Sequence, residues 1–230
     1  MNSTPDLAER LAEVDARIAD AAHAAGRDPG ALTRIVVTKF HSIAMVGELF
    51  DLGVRDVGEN RQQELTQKVD DVGAREGLIW HFIGQAQTKK ARAIRAAASV
   101  VHSVDRPRLA DALEAAGDGM PVLDVLLQVN LTDDPGRGGV APEGIESLAT
   151  HVAGLPSLRV RGVMAVAPLE EAPAVAFERL ARHSARVRSV VPDATWISAG
   201  MTADFTEAIV AGATHLRIGS AITGPRPTGR

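Results

Sequence analysis

The chain has 230 residues, carries a formal net charge of -4 at pH 7 and contains neither cysteine nor tyrosine. Hydrophobic residues make up 45% and charged residues 23%, a composition typical of a globular protein that forms either one α/β barrel or two small domains. The lack of cysteine excludes disulfides, thiol catalysis and thiolate metal sites, and the net charge argues against a protein built to bind nucleic acid.

The amino-terminal residues predict no signal peptide, because they lack a basic segment followed by an apolar core. No apolar run approaches the ~20 residues that a membrane helix needs. We therefore expect a cytoplasmic protein without a membrane partner, a nucleic-acid partner or a bound metal ion.

The first predicted element is a leading helix over residues 6–25, where apolar side chains recur at helical spacing between Asp6 as the N-cap and Gly26. Residues 35–39, IVVTK, follow as a strand, because a run of β-branched residues favours a buried strand over a helix. Further helices are predicted near residues 43–52, 61–72, 89–98, 108–116, 142–153, 172–190 and 203–210. Strands alternate with them near 56–60, 78–84, 99–104, 122–130, 158–166, 194–198 and 214–219.

This alternation of about eight strand-then-helix units, without a domain-breaking linker, predicts a single α/β domain with the (β/α)8 TIM-type barrel fold and an extra amino-terminal helix. A doubly wound open sheet is the competing architecture, but it rarely needs so many strands and its first turn is usually rich in glycine. We place the domain at residues 1–224, with a frayed tail at 225–230 and a mobile loop at 131–139 over one face.

The predicted strands end on polar groups, and barrels of this type place their chemistry at the carboxyl ends of the strands. Any one of these residues alone would be explained as a capped strand end, but together they predict a polar mouth with a binding site. In chain order the residues are Lys39, Glu59, Asn60, His81, Gly84, His102, Ser103, Gln128, Asn130, Met164, Ser198 and Arg217.

Lys39 stands at the end of the first predicted strand and shares a face with Ile35 and Val37. If that face lines the barrel, the amine is partly desolvated. Its neutral, nucleophilic form is then easier to reach, which suits imine formation with an aldehyde. The alternative is an ordinary strand-end lysine that extends to water.

The last two predicted strands lead into the sequences SAGMTADF and RIGSAITG, at the place where such barrels bind phosphate. Hydroxyl groups and free N–H groups at a helix start suit a dianion, and a glycine lets the backbone approach it closely. The residues concerned are Ser198, Gly200, Met201, Thr202 and Gly219. Capping of the helix by Thr202, with Asp204 compensating the helix dipole, explains the threonine but not the glycines. An imine-forming lysine opposite a phosphate site predicts binding of pyridoxal 5'-phosphate (PLP).

The chain contains, in this order, the segments IVVTK, DVGEN, WHFIGQAQTKK, VHSVD, LQVN, GVMAV, SAGMTADF and HLRIGSAITG. Together these segments resemble the pyridoxal phosphate homeostasis protein family, a single-domain relative of the barrel half of alanine racemase. The similarity covers nearly the whole chain. It implies the fold of the alanine racemase N-terminal domain, with PLP as the cofactor.

By this resemblance, Lys39 carries PLP covalently as an internal aldimine. Asn60 and Met164 are expected to flank the ring, and Arg217 to face the pyridine nitrogen. The phosphate is expected to be held by Ser198, Met201, Thr202 and Gly219. The chain departs from the usual family pattern at Lys89, Arg137, Ala199 and Thr223, none of which removes an expected cofactor contact.

The expected ring contact bears on whether the protein is an enzyme. An arginine at the pyridine nitrogen donates a hydrogen bond and opposes ring protonation, which makes the ring a poor electron sink. Racemisation also needs acid and base groups on both faces of the substrate carbon, and the resembled racemases use a tyrosine that this chain lacks. His81 or His102 would have to replace it.

The favoured hypothesis is therefore a protein without catalytic residues that stores and delivers PLP in intracellular PLP homeostasis. One alternative is a PLP-dependent, racemase-like enzyme with weak activity. Another is a lysine-dependent sugar-phosphate aldolase, which would have no use for Arg217 beneath a ring.

PLP is the expected ligand, and apo-forms of PLP-dependent enzymes are candidate recipients. Nothing in the sequence demands a dimer to complete the site, so a monomer is expected. The basic segment Lys89, Lys90, Arg92 and Arg95 is interpreted as the solvated face of an amphipathic helix, with a patch for a phosphorylated ligand or an acidic client enzyme as the alternative.

Overall fold

The leading helix α1 (Leu7–Ala24) lies where the sequence predicts it, in a computed structural model that describes residues 6–73 and 75–226. Asp6 and Glu9 form a reciprocal capping box, in which the Asp6 side chain accepts from the Glu9 N–H at 2.8 Å and the Glu9 side chain accepts from the Asp6 N–H at 3.0 Å. The buried residues of the helix are Leu11, Val14, Ile18 and Ala22.

Within the described part of the chain, eight parallel strands each pair with the next, and the last pairs with the first, which closes a barrel. The strands are β1 (Thr33–Val37), β2 (Asp56–Glu59), β3 (Ile79–Phe82), β4 (Val100–Val104), β5 (Leu123–Gln128), β6 (Leu158–Met164), β7 (Trp196–Ser198) and β8 (His215–Ile218). This closed sheet confirms the predicted (β/α)8 barrel and excludes the doubly wound alternative, because an open sheet has two edge strands.

A helix follows each strand and lies on the outside of the barrel. These helices are α2 (Ile43–Asp51), α3 (Gln62–Val72), α4 (Ala91–Ala97), α5 (Pro107–Ala115), α6 (Ile145–Ala153), α7 (Pro173–Val190), α8 (Phe205–Val210) and α9 (Ser220–Thr223). Short 3-10 turns, Thr88–Lys90 and Pro142–Gly144, precede α4 and α6.

The leading helix completes the outer layer of the barrel, because α9 has only 4 residues. Helix α1 packs against both α8 and α9. Arg27, which follows α1, donates to the carbonyl groups of Ile209 and Ala213 at 2.7 and 2.6 Å, and Arg10 donates to the carbonyl of Ile222 at 2.6 Å.

The sheet separates two apolar regions. The larger one lies between the sheet and the helices and includes Val36 of β1 and Val57 of β2. The smaller one lies inside the barrel and consists of Val100, Leu126 and Met164, with Trp196 packed against them. Both regions follow from the alternation of side chains along each strand.

Strand β1 ends at Val37 rather than at Lys39. Thr38 still donates its N–H to the Gly58 carbonyl at 3.0 Å, but its own carbonyl accepts from the His41 N–H at 3.1 Å and so begins a turn. Lys39 therefore lies in the turn beyond the strand.

The carboxyl-terminal tail predicted at residues 225–230 falls largely outside the described residues, since the description ends at residue 226. The domain limits therefore stay a prediction. No helix among the described residues is long and apolar enough to span a membrane.

Candidate functional site

The turn that carries Lys39 has an unusual backbone conformation. Its next residue, Phe40, has a φ of 68°, the only positive φ of a non-glycine residue among those described. Such a conformation costs free energy and persists only where the surroundings hold it in place. Glu64 on α3 supplies one restraint, because its carboxylate accepts from the Phe40 N–H at 3.0 Å.

A buried ion pair supplies a second restraint on the same turn. The Lys68 ammonium on α3 donates to the Glu59 carboxylate at 2.6 Å and to the Thr38 carbonyl at 2.8 Å. The Thr38 hydroxyl donates to the same Glu59 oxygen at 2.6 Å. The residue that precedes Lys39 is thus held through both its carbonyl and its hydroxyl group.

The structure corrects the expectation that Glu59 lines the mouth of the barrel. Glu59 lies on the same side of β2 as Val57, which packs against the helices, so its side chain points outward to α3. Burial raises the pKa of Glu59, and the Lys68 ammonium together with the Thr38 hydroxyl offsets part of that rise by stabilising the carboxylate. Glu59 therefore supports the Lys39 turn from behind and does not line the mouth.

Arg217 lies inside the barrel at the end of β8, with 5% of its surface exposed. Its guanidinium donates to the Ser198 hydroxyl at 2.7 Å and to the Ala165 carbonyl at 2.9 Å. Burial lowers the pKa of Arg217 to about 10, so the group keeps its charge at neutral pH. These two acceptors fix the direction of a buried cation.

The predicted phosphate residues lie in the connection between β7 and α8. The Ser198 hydroxyl is buried and bonded to Arg217 and His102. The Ser198 backbone belongs to the sheet, where its carbonyl accepts from the Ala165 N–H at 3.2 Å. The Met201 N–H donates to the Asp204 carboxylate at 2.6 Å. The N-cap residue of α8 is Asp204, so the alternative interpretation, in which Thr202 caps this helix, is wrong.

Two of the predicted phosphate residues are glycines, and the structure gives them different roles. Gly200 has a φ of 88°, and a Cβ there would lie 2.7 Å from the Ala208 Cβ, so the fold itself requires glycine. A Cβ at Gly219 would meet its nearest neighbour, Val37, at an ordinary 3.6 Å. The need for glycine at position 200 is therefore explained by packing within the fold. No such clash requires glycine at position 219, where space remains beside the mouth of the barrel.

Asn60 and Met164 were predicted to flank a ring. Asn60 directly follows β2, and its side-chain oxygen is buried without a hydrogen-bond partner among the described residues. A Cβ at Gly84 would lie 1.9 Å from the Asn60 carbonyl oxygen, so Gly84 is needed for this close approach. Met164 ends β6 and belongs to the apolar cluster inside the barrel. The unsatisfied buried acceptor of Asn60 fits a bound ligand that carries a donor.

His81 and His102 do not lie at the mouth, which corrects their placement among the strand-end residues. The two imidazoles contact each other inside the barrel, His81 Nδ1 to His102 Nε2, at 2.9 Å. His81 Nε2 lies 2.9 Å from Asp56 at the start of β2, and His102 Nδ1 lies 2.9 Å from the Ser198 hydroxyl. Both rings thus have both nitrogen atoms engaged.

A third interior histidine, His215 on β8, was missed by the sequence interpretation. Its ring stacks on Trp196 with centroids 4.3 Å apart, and its Nδ1 lies 2.8 Å from the Thr214 hydroxyl. Burial, and then the nearby His81, lowers the pKa of His215 to about 3. Alternation along β8 could have indicated it, because His215 lies two residues before Arg217 and shares its face.

Lys68 was missed as well, although the sequence holds a signal for it. It lies three residues after the buried Leu65, so it falls on the apolar stripe of α3. A charged residue on such a stripe is buried only when it is paired, which predicts a partner on the sheet.

The basic segment at residues 89–95 is only partly a solvated face. Lys89 and Arg92 are exposed and Lys90 is half-buried. Arg95, however, is buried and donates to the Pro121 carbonyl at 2.5 Å. Arg95 therefore connects α4 to the segment that precedes β5. A surface patch would consist of Lys89, Lys90 and Arg92.

The loop predicted at residues 131–139 is closed at its base by a β-bridge between Val129 and Val140. Asn130 organises its interior, because the side-chain amide donates to the Asp134 carbonyl at 2.9 Å and the side-chain oxygen accepts from the Thr132 N–H at 2.9 Å. Arg137 is exposed. The mobility of this loop stays a prediction.

The closed barrel with a lysine in the turn after β1 belongs to the class of the alanine racemase N-terminal domain, whose family model matches residues 11–227. An alanine racemase from Corynebacterium glutamicum shares this fold with a TM-score of 0.69 at 17% identity, over 96% of this chain and 62% of that one. A relative from Pseudomonas aeruginosa, named pyridoxal phosphate homeostasis protein, is 42% identical over 97% of both chains. The chain therefore belongs to the pyridoxal phosphate homeostasis protein family.

The solved structures of PipY from Synechococcus elongatus PCC7942 agree with this placement. PipY without PLP has a TM-score of 0.85 and 30% identity to this chain, and PipY with PLP bound has a TM-score of 0.84 and 29% identity. Each comparison covers 95% of this chain and 100% of PipY. The resemblance found in the sequence segments is thereby confirmed.

Replacing Lys68 by methionine should lower the free energy of unfolding by about 3–5 kcal/mol, because it leaves the Glu59 carboxylate buried without its cation. The double variant Lys68→Met/Glu59→Gln should recover part of this loss, since both charges are then gone. Urea unfolding followed by circular dichroism measures the change. Glu146→Gln, which breaks the exposed pair with Arg186, is the control. A loss from Lys68→Met no larger than that of the control contradicts the buried pair.

The pH dependence of stability tests the burial of His215. Between its ordinary pKa of about 6.5 and its pKa of about 3 in the fold, the unfolded chain binds a proton that the folded chain does not. The free energy of unfolding should therefore fall as the pH drops through this window, by up to about 1.4 kcal/mol per pH unit from this residue. His215→Gln should reduce that slope in urea unfolding between pH 7 and pH 4. Equal slopes in the two proteins would show that His215 is not buried in its neutral form.

Proposed function

We propose that the chain is a non-catalytic PLP-binding protein that acts in intracellular PLP homeostasis by storing and delivering the cofactor. The observation that carries this proposal is the pairing of the held Lys39 turn with a buried, oriented Arg217 inside one barrel. The names of the relatives and the PLP-bound structure of PipY support the choice of ligand.

Lys39 is the residue proposed to bind PLP covalently, as a Schiff base. Its amine would add to the aldehyde carbon of the cofactor, and water would leave as the imine forms. Glu64 and Lys68 hold the flanking residues Phe40 and Thr38, so the side chain of Lys39 starts from a fixed backbone. Fixing the nucleophile in advance lowers the entropy lost on binding.

Arg217 is proposed to face the pyridine nitrogen. Its two hydrogen bonds to Ser198 and to Ala165 leave further N–H donors of the guanidinium for a ligand. Because the guanidinium stays charged and cannot accept a hydrogen bond, it donates to an unprotonated ring nitrogen. Asn60, which directly follows β2, and Met164, at the end of β6, are proposed to flank the ring.

The phosphate is proposed to bind at the loops after β7 and β8, chiefly through the backbone. The backbone of Gly200 and Met201, the hydroxyl of Thr202 and the open space at Gly219 are the proposed contacts. The Met201 N–H now bonds to the Asp204 carboxylate, so a phosphate must either displace that carboxylate or use the neighbouring groups. The Ser198 hydroxyl takes no part, because Arg217 and His102 already engage it.

The engagement of His81 and His102 favours a carrier over an enzyme. Either residue would need a free ring nitrogen at the mouth to act on a substrate carbon. Instead, their nitrogens contact each other, Asp56 and Ser198 inside the barrel. A racemase-like enzyme with weak activity is the second candidate, supported by the fold that the chain shares with alanine racemase.

The remaining parts of the proposal concern surroundings and partners. All of the proposed cofactor contacts come from one chain, so the proposed site needs no second copy, and we propose a monomer. Apo-forms of PLP-dependent enzymes are the proposed recipients, in the cytoplasm. The exposed residues Lys89 and Arg92, with the half-buried Lys90, are a candidate contact surface for an acidic client.

Lys39→Ala should abolish the yellow absorbance that a protein-bound Schiff base gives, while the circular dichroism spectrum keeps its shape. Lys90→Ala, which removes a lysine outside the proposed site, is the matched control and should retain the absorbance. Borohydride reduction followed by peptide mass spectrometry should locate PLP on Lys39 in the wild-type protein. Fixation of PLP chiefly on another lysine would remove Lys39 from the proposed role.

The PLP-loaded protein should show no racemase or decarboxylase turnover above trace levels, because neither histidine can serve as the second base. Hydrogen exchange at the α-carbon of a panel of amino acids in deuterated water, followed by NMR and chiral chromatography, measures this. Slow exchange with retention is compatible with a carrier, since one lysine can return a proton to one face. Exchange with inversion at about 1 s⁻¹ or faster, the low end of ordinary turnover, would establish the racemase-like candidate instead.

A further inference from the structure

Polar side chains cross the interior of the barrel as one continuous chain of hydrogen bonds. It begins with the Arg217 guanidinium, which donates to the Ser198 hydroxyl at 2.7 Å, and passes from that hydroxyl to His102 Nδ1 at 2.9 Å. It continues from His102 Nε2 to His81 Nδ1 and from His81 Nε2 to Asp56 Oδ1, each at 2.9 Å. The five residues come from five different strands, β8, β7, β4, β3 and β2.

The chemistry of the two ends fixes the direction of every bond between them. A guanidinium only donates and a carboxylate only accepts. His81 must therefore donate from Nε2 to Asp56, which leaves Nδ1 of the neutral ring as an acceptor for His102. His102 then donates from Nε2 and accepts at Nδ1 from the Ser198 hydroxyl. That assignment leaves the Ser198 oxygen as the acceptor for Arg217, with one proton in each gap.

This order of protons leaves no place for a charged imidazole. An added proton on His81 Nδ1 would face the Nε2–H of His102, and the tautomer of His102 would have to reverse. Ser198 would then receive two donors and lose the acceptor for its own proton. His81 is faced by Asp56, His102 and His215, and His102 by His81, Ser198, Arg217 and His215. Burial, and then the nearby His81, Arg217 and His215, hold the pKa of His102 well below its ordinary value, in agreement with a neutral ring.

We propose that Asp56, at the end of the barrel opposite to the mouth, is a positioning residue for Arg217. By accepting from His81 it sets the tautomers of both histidines and the direction of the Ser198 hydroxyl, and so fixes the acceptor that orients the guanidinium. The effect on PLP rests on the proposed function, whereas the effect on Arg217 belongs to the unloaded protein.

Asp56 differs from the other members of the chain of hydrogen bonds because its side chain is partly exposed to solvent. The four other members are buried, between 0% and 5% exposed, whereas the Asp56 side chain is 22% exposed. Asp56 also lines a cavity of about 530 Å³ at the amino-terminal end of the barrel, together with Asp15, Arg34 and Arg55. The acceptor that ends the chain is thus reached from the face opposite to the cofactor.

The first test uses the unloaded protein with ¹⁵N-labelled histidine and arginine. In the wild type at pH 7, NMR should show His81 and His102 as neutral rings protonated at Nε2, and slowly exchanging N–H signals for the Arg217 guanidinium. Asp56→Ala should give mixed tautomers at both histidines and faster exchange at Arg217. Asp56→Asn retains an acceptor oxygen and should keep the wild-type pattern of tautomers and exchange. It provides a second variant in case Asp56→Ala fails to fold.

Asp124→Ala is the matched control, because Asp124 is a partly exposed carboxylate of β5 that pairs with Arg159 outside the chain of hydrogen bonds. It should leave the NMR pattern unchanged. An Nδ1–H tautomer or a charged ring at His102 in the wild type overturns the proposal. Unchanged tautomers and unchanged Arg217 exchange in a folded Asp56→Ala protein overturn it as well.

The second test adds PLP and separates this inference from the proposed function. Asp56→Ala should weaken PLP binding by about fivefold, the equivalent of one net hydrogen bond, and should shift the absorbance band because the ring nitrogen loses its oriented donor. Asp56→Asn and Asp124→Ala should match the wild type. Failure of the wild-type protein to bind PLP refutes the proposed function, and the NMR experiment still decides whether Asp56 positions Arg217. A normal affinity and spectrum in Asp56→Ala contradict the coupling to the cofactor.

Discussion

The hydrogen bonds from the Lys68 ammonium to Glu59 and to the Thr38 carbonyl, 2.6 and 2.8 Å long, fix how the chain leaves β1. Because the Thr38 carbonyl is turned toward α3 and His41, it no longer takes part in the sheet, and the backbone enters a turn. Phe40 then adopts its positive φ, and Lys39 projects from a short, restrained segment. A buried ion pair adds little net stability, but removal of one partner is costly, so the pair specifies geometry more than it adds stability.

The interior of the barrel follows the same principle with different groups. Barrels of this type usually fill their interior with branched apolar side chains, and here only part of it is apolar. Burial of a polar group costs free energy unless each donor and acceptor finds a partner. Ser198, His102 and His81 each contact a neighbour on both sides, so that cost is met and the orientation of each group depends on the next. Such networks favour one arrangement of the core over others.

Local sequence pattern was sufficient to predict the fold. The β-branched run predicted β1, and the regular alternation of strands and helices predicted the barrel, because both signals depend on neighbours along the chain. The outward position of Glu59 follows from strand alternation, which puts Glu59 and Asn60 on opposite faces, but a list of strand-end residues ignores this rule. The hydrogen-bond partners of the Ser198 hydroxyl, His102 and Arg217, could not be predicted from the sequence. The distances from β7 to β4 and β8 are set only when the barrel closes. The phosphate assignment for the Ser198 hydroxyl rested on loop position and on the family resemblance.

The burial of Arg217 supports the proposed binding of an anionic cofactor. The guanidinium is buried, and among the described residues it forms no ion pair, although the charge of Asp204 acts on it from nearby. A buried cation without a close counter-charge is unfavourable, and a ligand that carries a dianionic phosphate and an acceptor nitrogen relieves that cost on binding. Binding of such a ligand also stabilises the fold by mass action. In the proposed complex, the same fixed positive charge would oppose protonation of the ring nitrogen. The residue proposed to help retain the cofactor would therefore also limit the carbanion chemistry that the cofactor supplies.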